Sequence, residues 1–165
     1  MLILGIDPGL SRTGWGIVAA HGHALGFVAG GVITTTTRHS LPQRLVQLAE
    51  GLEAVIVRHR PSEAAVEETF VNLNATSTLR LGQARGTALL VLARAGLAIS
   101  EYLPNLVKKA VVGYGHADKE QIARMVRVLL PTAATGAGDT ADALAVAICH
   151  AHHRQSLLRQ GGVAR

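Results

Sequence analysis

The chain is poor in cysteine, in aromatics and in long apolar runs, and each shortage excludes something. Cys149 is the only cysteine among 165 residues, so no disulfide framework within the chain can staple the fold. It lies in ALAVAICHA, where a small buried thiol is the expected reading. No run reaches the roughly 20 apolar residues needed to cross a bilayer. The opening MLILGI meets Asp7, Pro8 and Gly9 at once, as a buried strand does and a signal peptide does not. A cytoplasmic protein with no membrane attachment is therefore expected. Aromatics make up 3% of the residues, and Lys108, Lys109 and Lys119 are the only lysines, all within one short stretch.

What is present points to one compact domain. Hydrophobic residues are 48% of the chain, enough for a proper core, while the length is too small for two domains of ordinary size. The expected boundaries are 1–158 for the domain and 159–165 for a flexible tail. Sixteen basic residues against 11 acidic ones, with a pI near 10.1, suit a polyanionic partner. If four of those acids share one site, the rest of the surface is decidedly basic.

Residues 2–7 (LILGID) read as a central strand stopped by Pro8-Gly9, with a carboxylate at its tip. Two further strand-like runs, 14–20 and 25–36, are joined through His21-Gly22-His23, a plausible hairpin turn. Ser40, Pro42 and Gln43 then form a helix start with a capping box. Leu41, Leu45, Leu48, Leu52 and Val55 recur at spacings of three or four, which predicts an amphipathic helix over 41–59. A short strand over 63–68 again ends in acids. Helices are expected at 75–95, 104–112, about 118–130 and 139–158, with a strand at 97–103. Three strands followed by alternating helix and strand make an α/β pattern with a mixed sheet.

Four acids stand where such a sheet gathers ligands. Asp7 ends the first strand, Glu67 lies near the end of the fourth, and Asp139 and Asp142 open the last helix three residues apart, on one face. Converging carboxylates repel one another, and no Lys or Arg flanks them closely in sequence, so a divalent cation is the natural counter-charge. Hard oxygen ligands suit Mg²⁺ or Mn²⁺, and a pair of such ions serves phosphodiester hydrolysis. Plainer roles exist for each residue taken alone. Asp7 could close a turn, Asp139 could cap its helix with Asp142 favoured by the dipole, and Glu68 rivals Glu67 because alternation points only one of them into the site.

The segments GIDPGLSRTGWGI, AVEETF, NATSTLRLGQARG, VKKAVVGYGHADKEQI and DTADALAVAICH follow one another in an order and spacing that resembles the RuvC Holliday junction resolvases. The resemblance runs from Leu2 to about His153. It implies an RNase H-like fold, a five-stranded mixed sheet flanked by helices, and a homodimer that resolves four-way DNA junctions by paired nicks with two Mg²⁺ per subunit. It implies metal-binding, catalytic roles for Asp7, Glu67, Asp139 and Asp142, with the AVE-x-x-F frame selecting Glu67 over Glu68. Phe70, at the end of that frame, would stack on unpaired bases. The RuvA–RuvB branch-migration machine is the implied partner.

Lys108 and Lys119 match lysines of the resembled family. With Lys109 they form a group suited to phosphate contacts, although any one of them reads equally well as solvated helix surface. Arg80 and Arg85 are weaker candidates of the same kind. Gly82 and Gly86 each cost about 1 kcal/mol inside a helix relative to Ala. Close packing, at a dimer interface or within one subunit, would compensate. His150, His152 and His153 with Cys149 invite a metal reading, but no second ligand group at zinc spacing exists elsewhere.

Three other functions fit parts of the chain. An actin-like or sugar-kinase-like ATPase shares the GIDPG opening but needs a second similar domain, for which there is no room. A junction-binding module without catalysis would not need four acids. A related nuclease acting on RNA is disfavoured by the LGQARG and VKKAVVGYGHADK segments.

Overall fold

The computed structural model describes residues 1–68, 74–133 and 138–161, with side chains described up to residue 156. The strands are β1 (Leu2–Asp7), β2 (Arg12–His21), β3 (Ala24–Thr34), β4 (Glu63–Glu67) and β5 (Ala98–Tyr102). They form one sheet in the order β3-β2-β1-β4-β5. The first three make an antiparallel meander, and β4 and β5 join parallel to β1. The sheet is thus mixed, as the sequence pattern predicts. The β2–β3 turn falls at Gly22, whose φ of 58° is the left-handed geometry a tight hairpin turn requires.

The helices are α1 (Leu41–His59), α2 (Ala75–Arg94), α3 (Pro104–Val112), α4 (Lys119–Leu129) and α5 (Gly138–Gly161). At the start of α1, Gln43 Oε1 accepts the Ser40 backbone N–H at 2.9 Å. Asp118 caps α4 by accepting the Gln121 N–H at 2.8 Å, which satisfies an otherwise orphaned donor. Helix α5 runs past its expected end at 158, and the remainder of the expected tail, 162–165, lies outside the described residues.

Strand alternation divides the core in two. Leu4, Ile6, Ile17, Ala64 and Val66 pack with Leu48, Leu52 and Val55 of α1 and with Ala84, Ala88 and Leu92 of α2. On the other face, Ile3, Val18 and Ala65 meet α3, α4 and α5. Helix α5 lies between the sheet and the α3–α4 pair, so residues 143–151 are buried all round and show no amphipathic stripe. Burial of each large aliphatic side chain in these layers contributes about 1.5–3 kcal/mol.

The seat of α5 on the sheet depends on two glycines. A Cβ on Gly5 would stand 2.1 Å from the Ala143 carbonyl oxygen, and one on Gly14 would stand 2.0 Å from that of Asp139. Backbone-to-backbone contact of this kind brings the first turn of α5 against the start of β2, beside the C-terminal end of β1.

Candidate active site

Asp7 is the last residue of β1 and Glu67 the last of β4, and these two strands are parallel neighbours. Period-two alternation puts Asp7 on the face of Ile3 and Gly5, and Glu67 on that of Ala65, which is the α5 side of the sheet. Glu68 lies beyond the strand, with its backbone N–H bonded to the Tyr102 carbonyl at 2.8 Å. Asp142, one turn into α5, completes the group. Asp7, Glu67 and Asp142 line one cleft of about 220 Å³, together with Lys108 of α3 and Lys119 of α4.

The electrostatics of the cleft are those of crowded, desolvated carboxylates. Burial raises Glu67 to about 8, reinforced by the neighbouring charge of Asp7. Burial likewise raises Asp7 to about 6, although its hydrogen bond with Glu67 and the Lys119 charge act in the opposite direction. Asp142 is also raised, again by burial first, with Lys119 opposing.

Two cations that are remote in sequence answer part of this charge. Lys119 Nζ lies 3.3 Å from Asp142 Oδ2, and the Asp142 charge raises the lysine's own pKa. Arg12 Nε donates to Asp139 Oδ2 at 2.6 Å. The sequence shows no basic residue close to the acids, but tertiary packing supplies these two. Asp139 is therefore turned toward β2 and is not among the residues that line the cleft. Among the described residues no three acidic, histidine or cysteine side chains are grouped tightly enough to enclose an ion. The donor set nonetheless suits a hard divalent cation, because each acid offers oxygen only and three of them hold protons more tightly than a free carboxylate does.

The remaining sequence candidates divide. Lys109 is exposed and stands outside the cleft lining. Arg80 is exposed on the first turns of α2, whereas Arg85 is paired through Nη2 with Glu101 of β5. Phe70 lies outside the described residues. The histidines do not converge. His150 is buried, with Nδ1 2.8 Å from the Tyr102 hydroxyl and Nε2 2.7 Å from Glu63 Oε2. His152 Nδ1 faces the Ala110 carbonyl, and the His153 ring packs on Tyr102. Arg154 also binds Glu63, at 3.0 Å. Burial works upward on Glu63, but hydrogen bonds from His150 and Arg154 hold its pKa below the ordinary value. Burial pushes the Cys149 thiol up to about 12, which makes it an inert packing group.

Sequence reasoning passed over Arg12, although it stands inside the segment GIDPGLSRTGWGI. Its only signal was a basic residue at the start of the strand that follows the first acid.

A mixed sheet of this order, with acids at the tips of two central parallel strands and at the start of the helix that crosses them, is the architecture of the RNase H-like proteins. Residues 3–150 match the family described as crossover junction endodeoxyribonuclease RuvC. The chain belongs to that RuvC family. It is 59% identical over 155 residues to the crossover junction endodeoxyribonuclease RuvC of Brucella anthropi, covering 94% of this chain and 90% of that one. The RuvC of Sinorhizobium fredii is 58% identical over the same span, 94% of this chain and 91% of that one. Among solved structures, Thermus thermophilus RuvC in complex with Holliday junction substrate superposes with a TM-score of 0.88 at 35% identity, covering 94% of this chain and 96% of that one. The yeast mitochondrial Holliday junction resolvase Ydc2 shares the fold, with a TM-score of 0.63 at 12% identity over 96% of this chain and 85% of that one. Membership of the family carries dependence on a divalent metal ion.

Proposed function

We propose that this protein resolves four-way DNA junctions, as a homodimer that nicks two strands symmetrically with two Mg²⁺ ions per subunit. The observation that carries this reading is the convergence of Asp7, Glu67 and Asp142 with Lys108 and Lys119 in one cleft. Asp7, Glu67 and Asp142 would hold the metal from one side, and Asp139 would complete the set. When bound, divalent ions stabilise the attacking and the leaving oxygen of a phosphodiester displacement, and Mn²⁺ serves in place of Mg²⁺. Burial raises Glu67 to about 8, so to serve as a metal ligand it would have to give up a proton, which would make metal affinity rise with pH. Lys108 and Lys119 neutralise phosphates at the cleft rim. Water is expected to attack phosphorus, which leaves a 5′-phosphate and a 3′-hydroxyl.

The face of α2 supports the dimer. Leu79 and Leu90 are exposed there, and a Cβ added to Gly82 or Gly86 would meet nothing within 4 Å. Packing within the subunit therefore gives those glycines no purpose, whereas a second copy approaching α2 would. A two-fold dimer presents paired sites that match the approximate symmetry of a four-way branch. The RuvA–RuvB machine is the partner this role implies.

The direct test is a labelled four-way junction set against a matched duplex and an RNA–DNA hybrid, each with and without Mg²⁺. The junction alone should be cut, in pairs, and only with metal. Asp7→Asn, Glu67→Gln, Asp139→Asn and Asp142→Asn should each abolish cleavage while junction binding stays largely intact. Wild-type activity in any one of them removes that residue from the site.

A further inference from the structure

Arg12 is not one of the four acids and three lysines assigned above, yet it pairs with one of those acids, Asp139. Among the described residues Asp139 is its one partner, through Nε at 2.6 Å, and its side chain remains 52% exposed. An exposed ion pair adds little to stability, yet the segment that carries this one is tied down on both sides. Thr13, fully buried, donates from Oγ1 to the Gly9 carbonyl at 2.7 Å and accepts the Gly9 N–H at 3.2 Å. On the other side buried Arg44 donates to Ser11 Oγ at 2.8 Å and to Thr35 Oγ1 at 2.9 Å. Thr35 Oγ1 in turn donates to the Leu10 carbonyl at 2.6 Å. Arg12 is thus held at a fixed place on the β2 side of the acids. Lys108 and Lys119 line the cleft from α3 and α4, whereas Arg12 comes from β2 and lies outside that lining.

That placement suits two partners in succession. A divalent ion that takes the Asp139 oxygens removes the carboxylate from the guanidinium. A planar fork of donors left free beside the start of α5 matches a phosphate well. We propose that Arg12 is an exchanging cation, which holds Asp139 while metal is absent and turns to a backbone phosphate of the DNA strand once a divalent ion takes that carboxylate. The inference rests on the nuclease reading above and adds to it a phosphate contact from β2, separate from the lysines of α3 and α4.

Arg12→Gln and Arg12→Lys test it with two measurements that need no turnover. In a Mn²⁺ titration of the DNA-free protein followed by electron paramagnetic resonance, Arg12→Gln should bind the ion roughly two- to fivefold more tightly, since a competing exposed ion pair is gone. Binding of a four-way junction in Ca²⁺ at several salt concentrations should show a slope shallower by about 0.9 in Arg12→Gln, the share of one neutralised phosphate. Arg12→Lys should keep the wild-type slope, because the charge remains. Unchanged Mn²⁺ affinity or an unchanged slope in Arg12→Gln would overturn the proposal, and so would an equally shallow slope in Arg12→Lys. If wild-type protein did not prefer the junction to duplex, the junction reading would fail separately. The Mn²⁺ titration and the slope on duplex would still judge Arg12.

Discussion

The carbonyl oxygen of Asp139 lies 2.0 Å from where a Cβ on Gly14 would stand, so a glycine on β2 sets the position of an acid on α5. Neither backbone can yield without lifting the helix from the sheet. Gly14→Ala is expected to cost about 1–3 kcal/mol of stability by overpacking. It should also lower junction cleavage by roughly 100-fold through misplacement of Asp139. Gly26→Ala is the control, because its added Cβ would meet only the Ala19 Cβ at 3.9 Å. Urea denaturation and cleavage rates of the two variants separate them, and equal activity would mean that the approach of α5 is not what sets the site.

Stability of the metal-free protein should fall as pH rises. Burial raises Asp7 to about 6 and Glu67 to about 8, so the folded state holds protons that the unfolded chain gives up near pH 4. The stabilisation is complete below that value and is lost as pH climbs through 6 and then 8. Melting in EDTA should therefore come at a higher temperature at pH 5 than at pH 8.5, and Asp7→Asn should flatten the difference. Added Mg²⁺ should restore the melting temperature at pH 8.5, because an ion that binds only the folded state stabilises it by mass action.

Lys108 and Lys119 should act on binding, not on sequence choice. Replacing either with Ala should weaken junction binding on every sequence and flatten its salt dependence by about 0.9 per phosphate neutralised. The Asp142 charge keeps Lys119 protonated beyond the ordinary lysine range, so its contribution should persist to pH 9. An unchanged slope would return both residues to plain surface.

Phe70 follows Glu67 by three residues and is one of two phenylalanines in the chain. A junction-cutting enzyme must hold unstacked bases, and base–aromatic stacking is worth roughly 1–3 kcal/mol with any base. Phe70→Ala should keep the fold, the dimer and metal binding while losing most junction cleavage, and Phe70→Trp or Tyr should recover much of it. Wild-type cleavage by Phe70→Leu, which fills space but cannot stack, would reduce Phe70 to packing.

Local signals were the legible ones. Helices 41–59 and 104–112 appear at the residues where capping and proline place them, since those signals act within one turn. The strand runs LILGID and EAAVE placed acids at two strand tips, but alternation alone left Glu67 and Glu68 open, and the AVE-x-x-F frame of the resembled family chose Glu67. Contacts made across the fold left no such mark. Arg12 reaches Asp139 only because Gly14 admits α5, and Lys119 reaches Asp142 only because α4 packs on α5. Tyr102 and Glu63 receive His150 from a helix far along the chain, His153 packs on the same tyrosine and His152 turns to the Ala110 carbonyl, so three histidines close in sequence share no common ligand position. The open faces of Gly82 and Gly86 likewise could be seen only once their surroundings were known.

On the proposed reading, the carboxylates of β1, β4 and α5 hold the divalent ions of a junction nuclease. Anomalous scattering from crystals of the protein grown with Mn²⁺ would locate those ions. Peaks are expected at the mouth of the cleft within about 2.3 Å of oxygens from Asp7 and Glu67, with Asp142 and Asp139 as further ligands and the Arg12–Asp139 contact opened. Strong Mn²⁺ peaks at His150 or His153, or none beside Asp7 and Glu67 at saturating ion, would contradict it.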